Sequence, residues 1–145
     1  MTVNGIEYSD DGRVLIYCPK VRDKNVFFKF RSLRSVVIPD SVELIGDGAF
    51  HRCESLKSIT VPDSVTSLGE GAFAWCKNLE SVKIQDSVTV LAGSLFLGCE
   101  SLGSVTIPDT VTSIGIAAFD GCSSLKSITI PDSVTSIGRE AFFGC

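Results

Sequence analysis

The sequence predicts an α/β solenoid, a coil of chain repeated along one axis with a parallel strand on one side of each turn and a short helical or 3-10 turn on the other. Three observations predict it. Leu33, Leu56, Leu79, Leu102 and Leu125 each head a near-copy of one unit, at a constant spacing of 23 residues with no insertion or deletion, and a period of that size marks a stacked-repeat architecture. Within the unit 56–78 the recurring apolar residues are Leu56, Ile59, Val61, Val65, Leu68, Ala72, Phe73 and Cys76, and the positions between them are polar or variable. Each unit also carries its punctuation at fixed places, with Pro62 and Gly69 as the examples here.

Each element of the unit has a reason. Ile59 and Val61 alternate with Ser58 and Thr60, which reads as a short strand of β-branched residues with the hydroxyls outward. Pro62 lacks an N–H for the ladder and stops the strand, and Asp63 and Ser64 can bond nearby backbone to turn the chain. A second extended piece, 65–68, leads to Gly69. Over 70–76 the order Ala72, Phe73, Cys76 has the i, i+1, i+4 spacing of one helical turn with its apolar side inward. One such coil cannot bury its own apolar face, so each closes the core of the next and the stability lies between repeats.

The pattern LxxIxIPDSVTSIGxxAFxxCxx, nearly complete over 102–124 and 125–145, resembles the treponemal-type leucine-rich repeat of the BspA-like surface proteins, and it covers 33–145, more than three quarters of the chain. The resemblance implies a right-handed leucine-rich-repeat solenoid with the parallel sheet on its concave side. It also implies a place at the cell surface or among secreted proteins, with roles in adhesion and protein binding. The motif brings no catalytic residues with it.

Residues 1–32 read as the cap of the first full coil. Over 6–19, Ile6 and Tyr8 form one hairpin arm, Asp10, Asp11 and Gly12 the turn, and 14–17 the other arm. Shifted by one period, Val26, Phe27 and Phe30 fall on Ala49, Phe50 and Cys53, so 23–32 is a degenerate half-repeat, with Phe28 and Phe30 adding bulk for a lid. Domain organisation is therefore a cap over 1–32 and five repeats over 33–145, the last incomplete.

Length and composition suit one domain with a real core: 145 residues, 44% hydrophobic, net charge −4. No stretch approaches the ~20 apolar residues of a membrane-spanning helix, and 1–13 has no basic-then-apolar pattern of an export signal. Charge is uneven. Arg13, Lys20, Arg22, Lys24, Lys29, Arg31 and Arg34 stand against Asp23 alone, whereas the rest of the chain holds 6 basic and 16 acidic residues. The basic run, with Lys20, Arg22, Lys24, Lys29 and Arg31 as contacts, suits a glycan or another polyanion; a solvated basic end is the plainer reading. The overall acidity argues against nucleic acid as the main ligand.

Cys53, Cys76, Cys99, Cys122 and Cys145 recur once per coil and form a column, with Cys18 apart. Metal spacing such as CxxC is absent and one histidine cannot complete a zinc site, so no metal or cofactor is expected. Coils about 5 Å apart permit a disulfide by distance, but a same-direction ladder of five members favours buried thiols, which suit a reducing or anaerobic setting. His51, two residues from Cys53, reads as a surface histidine and not a catalytic base. Asp40, Asp63, Asp86, Asp109 and Asp132 also form a column; it could hold Ca²⁺ between coils, and turn bonding together with the neighbouring Ser41, Ser64, Ser87, Thr110 and Ser133 is the plainer reading.

Two surfaces are candidates for binding a protein. The concave face presents Ser58, Thr60, Lys83, Thr106 and Thr129, a hydroxyl array with one lysine whose interruptions argue against ice binding. The turn side carries the variation: Trp75, Leu97, Ile116 and Phe143 stand where other coils have small or charged residues, either as interface anchors or as side chains half-buried against the next turn. No acid, base and nucleophile meet outside the repeat columns, so no enzyme is expected. The expected partner is a protein such as a host matrix or cell-surface protein. A second expected contact is a homodimer through the last repeat, where Ile128, Ile130, Ile137 and Phe142 lack cover on one side, in competition with a head-to-tail array. The coil 79–101, with Gln85, Ala92 and Leu95 in place of Pro, Gly and Ala, is expected to be the weakest.

Overall fold

A computed structural model of the protein describes residues 31–145 in full and, before them, the backbone of three short strands. In chain order the strands are β1 (Thr2–Val3), β2 (Ile6–Tyr8), β3 (Arg13–Leu15), β4 (Ser35–Val37), β5 (Leu44–Ile45), β6 (Ser58–Val61), β7 (Ser67–Leu68), β8 (Ser81–Ile84), β9 (Val90–Leu91), β10 (Ser104–Thr106), β11 (Ser113–Ile114) and β12 (Ser136–Ile137). Three strands before the repeats and one from each of the first four coils build a main sheet in the order β1-β2-β3-β4-β6-β8-β10. β1, β2 and β3 pair antiparallel in sequence, and from β3 onward every pairing is parallel, with Arg13 opposite Ser35, Ser58 opposite Ser81 and Ser81 opposite Ser104. Apart from Arg31 and Ser32, the rest of the expected cap, including Cys18, Phe28 and Phe30, lies outside the described residues.

The eight apolar positions of the unit are the core. Leu56, Ile59, Val61, Val65, Leu68, Ala72, Phe73 and Cys76 are all buried, as are most of their counterparts in neighbouring coils. The 23-residue period places like on like: Phe50, Phe73, Phe96, Phe119 and Phe142 form one stack with ring centroids 5.3–5.6 Å apart. Such stacking adds roughly 0.5–1.5 kcal/mol per pair to the burial of the rings. No polar or charged residue is fully buried among the described residues, so the interior is dominated by apolar side chains and thiols.

The segment expected to be a helical turn is built differently, and no helix occurs among the described residues. In coil 33–55 the N–H groups alternate. Those of Ala49, His51 and Cys53 close tight turns onto the carbonyls of Gly46, Gly48 and Phe50, while those of Gly48, Phe50 and Arg52 reach across to Glu70, Ala72 and Ala74 of the next coil at 2.7–2.9 Å. An α-helix would spend every one of these donors four residues back along its own chain. Two residues per coil take the left-handed conformation that the third position of a type II turn requires: Gly48 and Arg52, Gly71 and Trp75, Ser94 and Gly98, Ala117 and Gly121, Glu140 and Gly144, with φ between 53° and 74°. Overlapping turns put Ala72, Phe73 and Cys76 inside as one helical turn would, which is why their spacing alone misleads.

The second extended piece of each unit forms a further sheet, in two parts: β5 pairs with β7, and β9, β11 and β12 pair together. Between these parts, at the junction of coils 56–78 and 79–101, the pairing is missing. A second departure lies at the far edge. Residues 127–130, read from sequence as the fifth strand of the repeat array, do not join β10, although β12 and the turn ladder still bind this coil to its neighbour.

Candidate protein-interaction surface

Outward positions of the main sheet line up through the strand register. Ser58 lies opposite Ser81, which lies opposite Ser104; Thr60 lies opposite Lys83, which lies opposite Thr106. Parallel strands are about 4.8 Å apart, so Lys83 sits between two threonines as the one ammonium of its column. Ser58, Thr60, Lys83 and Thr106 are exposed. Thr129 is exposed too, but it stands outside the sheet with the rest of 127–130. Val37 heads the same column and is 53% exposed.

On the turn side the structure brings Trp75 and Leu97 together, since the Trp75 N–H donates to the Leu97 carbonyl at 2.7 Å. Trp75 is 36% exposed and Leu97 half-buried, whereas Ile116 (63%) and Phe143 (68%) stand well out. Ile116 and Phe143 lie at opposite ends of the turn segment, so the four do not form one continuous patch. Sequence reasoning missed Leu44 and Val90, both largely exposed on the second sheet. The signal was present: in that column the other coils carry Ser67, Ser113 and Ser136.

The basic candidates fall mostly outside the described residues, which include Arg31 alone of the five; its side chain is exposed. Lys20, Arg22, Lys24 and Lys29 are not described. Along the coils, inter-repeat ion pairs join Lys57 to Glu80 (3.3 Å) and Lys77 to Glu100 (2.9 Å), both exposed and of small energetic weight.

The cysteine column is inward and unbridged. Cys53, Cys76, Cys99 and Cys122 are buried, Cys145 is exposed, and none of the five is in a disulfide. The thiol of Cys76 donates to the Phe50 carbonyl at 3.1 Å, and Cys99, Cys122 and Cys145 repeat the contact on Phe73, Phe96 and Phe119. Burial pushes the Cys99 thiol up, and Cys122 up to about 12. A hydrogen bond with Cys53, then burial, raises Cys76. Such thiols are poor nucleophiles. Burial, with the neighbouring Arg52 charge, lowers the pKa of the half-buried His51.

The hydroxyl column beside the aspartates does not bond its own turn. The backbone closes that turn, as in Val65 N–H to Pro62 carbonyl at 3.0 Å, while Ser87, Thr110 and Ser133 donate to the carbonyls of Val65, Val88 and Val111 in the preceding coil at 2.7–2.8 Å. All five aspartates of the column are exposed. No group of three or more metal-ligating side chains occurs among the described residues, and no described helix is long and apolar enough to cross a membrane.

Comparison with known proteins agrees with this geometry. The family model for the BspA type leucine rich repeat region matches residues 21–145 in six copies. Among solved structures, the chain is similar to a leucine rich cell surface protein from Faecalibacterium prausnitzii, with 36% identity and a TM-score of 0.74 over 99% of this chain and 36% of that one. A leucine-rich repeat protein from Bacteroides ovatus shares 30% identity with a TM-score of 0.66, over 87% of this chain and 39% of that one. The T. pallidum leucine rich repeat protein shares 26% identity with a TM-score of 0.74, over 97% of this chain and 64% of that one. The chain thus spans between about a third and two thirds of the length of these proteins. No curated protein matches the sequence.

Proposed function

The chain belongs to the BspA-type leucine-rich repeat family, and from that premise we propose that it is a non-enzymatic scaffold that binds a protein, acting in adhesion at a bacterial cell surface. The observation that carries the reading is the placement of variation. Inward positions repeat almost unchanged along the coils, while large apolar side chains stand well out at Ile116 and Phe143, where a monomer gains little from them, and Trp75 keeps an exposed edge beside Gly98; a partner there gains buried area. The sheet face around Thr60, Lys83 and Thr106 offers hydrogen-bond donors and acceptors without a field of charge. A surface location draws support from the F. prausnitzii relative, a cell surface protein.

The test is binding of the purified chain to immobilised extracellular-matrix proteins and to heparin across a salt series. A protein-binding scaffold retains a matrix ligand at about 0.5 M salt, where exposed charges are screened beyond a few ångströms, and loses it on Ile116→Asp or Trp75→Ala. Binding to heparin alone, abolished by salt and unchanged in those variants, would instead assign the ligand to the basic N-terminal residues.

A further inference from the structure

We propose that the junction between coils 56–78 and 79–101 is a hinge, opened on one side by Ala92. This inference stands independently of the binding reading. The column that Ala92 occupies is otherwise glycine, for a steric reason. A β-carbon on Gly69 would fall 2.3 Å from the Asp47 nitrogen, one on Gly115 2.5 Å from the Gly93 nitrogen, and one on Gly138 2.4 Å from the Ile116 nitrogen. Each of these glycines rests directly on the backbone of the coil before it. Ala92 brings the β-carbon that the column has no room for, so its coil must lift away from Gly69 and Glu70 at this corner.

The hydrogen bonds show the lift. Across the other junctions the corner is held by two bonds: Thr66 to Glu43 and Gly69 to Ile45, Thr112 to Thr89 and Gly115 to Leu91, Thr135 to Thr112 and Gly138 to Ile114, all at 2.7–2.9 Å. The counterparts at the Ala92 junction, from Thr89 to Thr66 and from Ala92 to Leu68, are not formed, and β7 and β9 fall into separate sheets. The other two sides stay closed. β6 and β8 pair over four residues, and the turn ladder keeps all three bonds, from Gly71 to Gly93, Phe73 to Leu95 and Trp75 to Leu97, at 2.7–3.0 Å. On the third side only the Ser87 hydroxyl, on the Val65 carbonyl at 2.7 Å, still crosses the junction, and a stack pinned along two sides and open beyond that bond flexes about the pinned sides. Thr60 lies on one side of that junction and Lys83 and Thr106 on the other, so the motion changes the curvature of the main-sheet face.

Amide-resolved exchange and relaxation dispersion on the intact chain test this. The N–H groups of Thr89 and Ala92 should exchange at least about 100-fold faster than those of Thr112 and Gly115, which are held in the ladder. Dispersion on the microsecond to millisecond scale should be confined to Leu68, Val90, Leu91 and their neighbours. Ala92→Gly, which removes only the obstructing carbon, should restore protection at Thr89 and position 92 and flatten the dispersion. Equal protection at all four amides overturns the proposal; so does rapid exchange without dispersion, which would mean a fixed gap, and so does an unchanged pattern in Ala92→Gly.

Discussion

The indole of Trp75 lies on Gly98 of the following coil, so close that a β-carbon added to the glycine would come within 2.6 Å of the ring. Gly98 is itself left-handed, at φ 69°, so a side chain there meets two obstacles, one steric and one torsional. Gly98→Ala is expected to destabilise the fold by about 1–3 kcal/mol and to displace the ring. Because the chain has one tryptophan, fluorescence reads the displacement directly: the emission should shift toward the red as the indole moves into water. Unchanged emission with unchanged stability would mean that the indole does not rest on this glycine.

The hydroxyl column separates a made bond from a missing one. Ser87 donates to the Val65 carbonyl at 2.7 Å, whereas the hydroxyl of Ser64, one period earlier, is buried without a partner. Removing a satisfied buried hydroxyl costs about 1 kcal/mol and also leaves its acceptor unpaired; removing an orphaned one relieves a desolvation cost of similar size. Ser87→Ala is therefore expected to lower stability and Ser64→Ala to leave it unchanged or raise it, as measured by urea denaturation. Equal losses in the two variants would contradict the difference in bonding.

How much of this was legible in the chain depends on what each feature needs. The core was legible from Leu56 through Cys76, because a strict period forces every inward residue to meet its own copy. The turn segment was not, since Ala72, Phe73 and Cys76 point inward from overlapping turns as they would from a helix; only the alternating hydrogen bonds and left-handed residues such as Trp75 tell the two apart. Ala92 stood out in sequence as a replaced glycine, but its consequence required the stacking distance in that column. Leu44 and Val90 are readable as departures from the serines of their column, but their exposure shows only once the second extended piece is seen to form a sheet of its own. For the binding candidates, sequence indicated outward positions correctly at Ile116 and Phe143, while the closeness of Trp75 to Leu97 appears only once adjacent coils are in register.

The buried thiols predict an alkaline limit to stability. Burial favours the protonated form, so Cys99 and Cys122 titrate above the ordinary thiol value of 9.0, with Cys122 up to about 12, and Cys76, hydrogen-bonded with Cys53 and buried, is raised as well. The unfolded chain loses these protons first as pH rises. The folded state then binds more protons than the unfolded one, so the free energy of unfolding falls with pH; the stability these groups contribute is complete below about pH 9 and is lost progressively toward their folded values. Each thiol contributes a slope that approaches about 1.4 kcal/mol per pH unit once the unfolded thiol is ionised, above about pH 10. Urea midpoints measured under reducing conditions at a series of pH values should show this decline. Cys99→Ala lowers stability at pH 7 through the lost side-chain volume, yet should make the alkaline slope shallower, because one of the titrating thiols is gone. A slope unchanged in Cys99→Ala would mean that the thiol column is not what titrates.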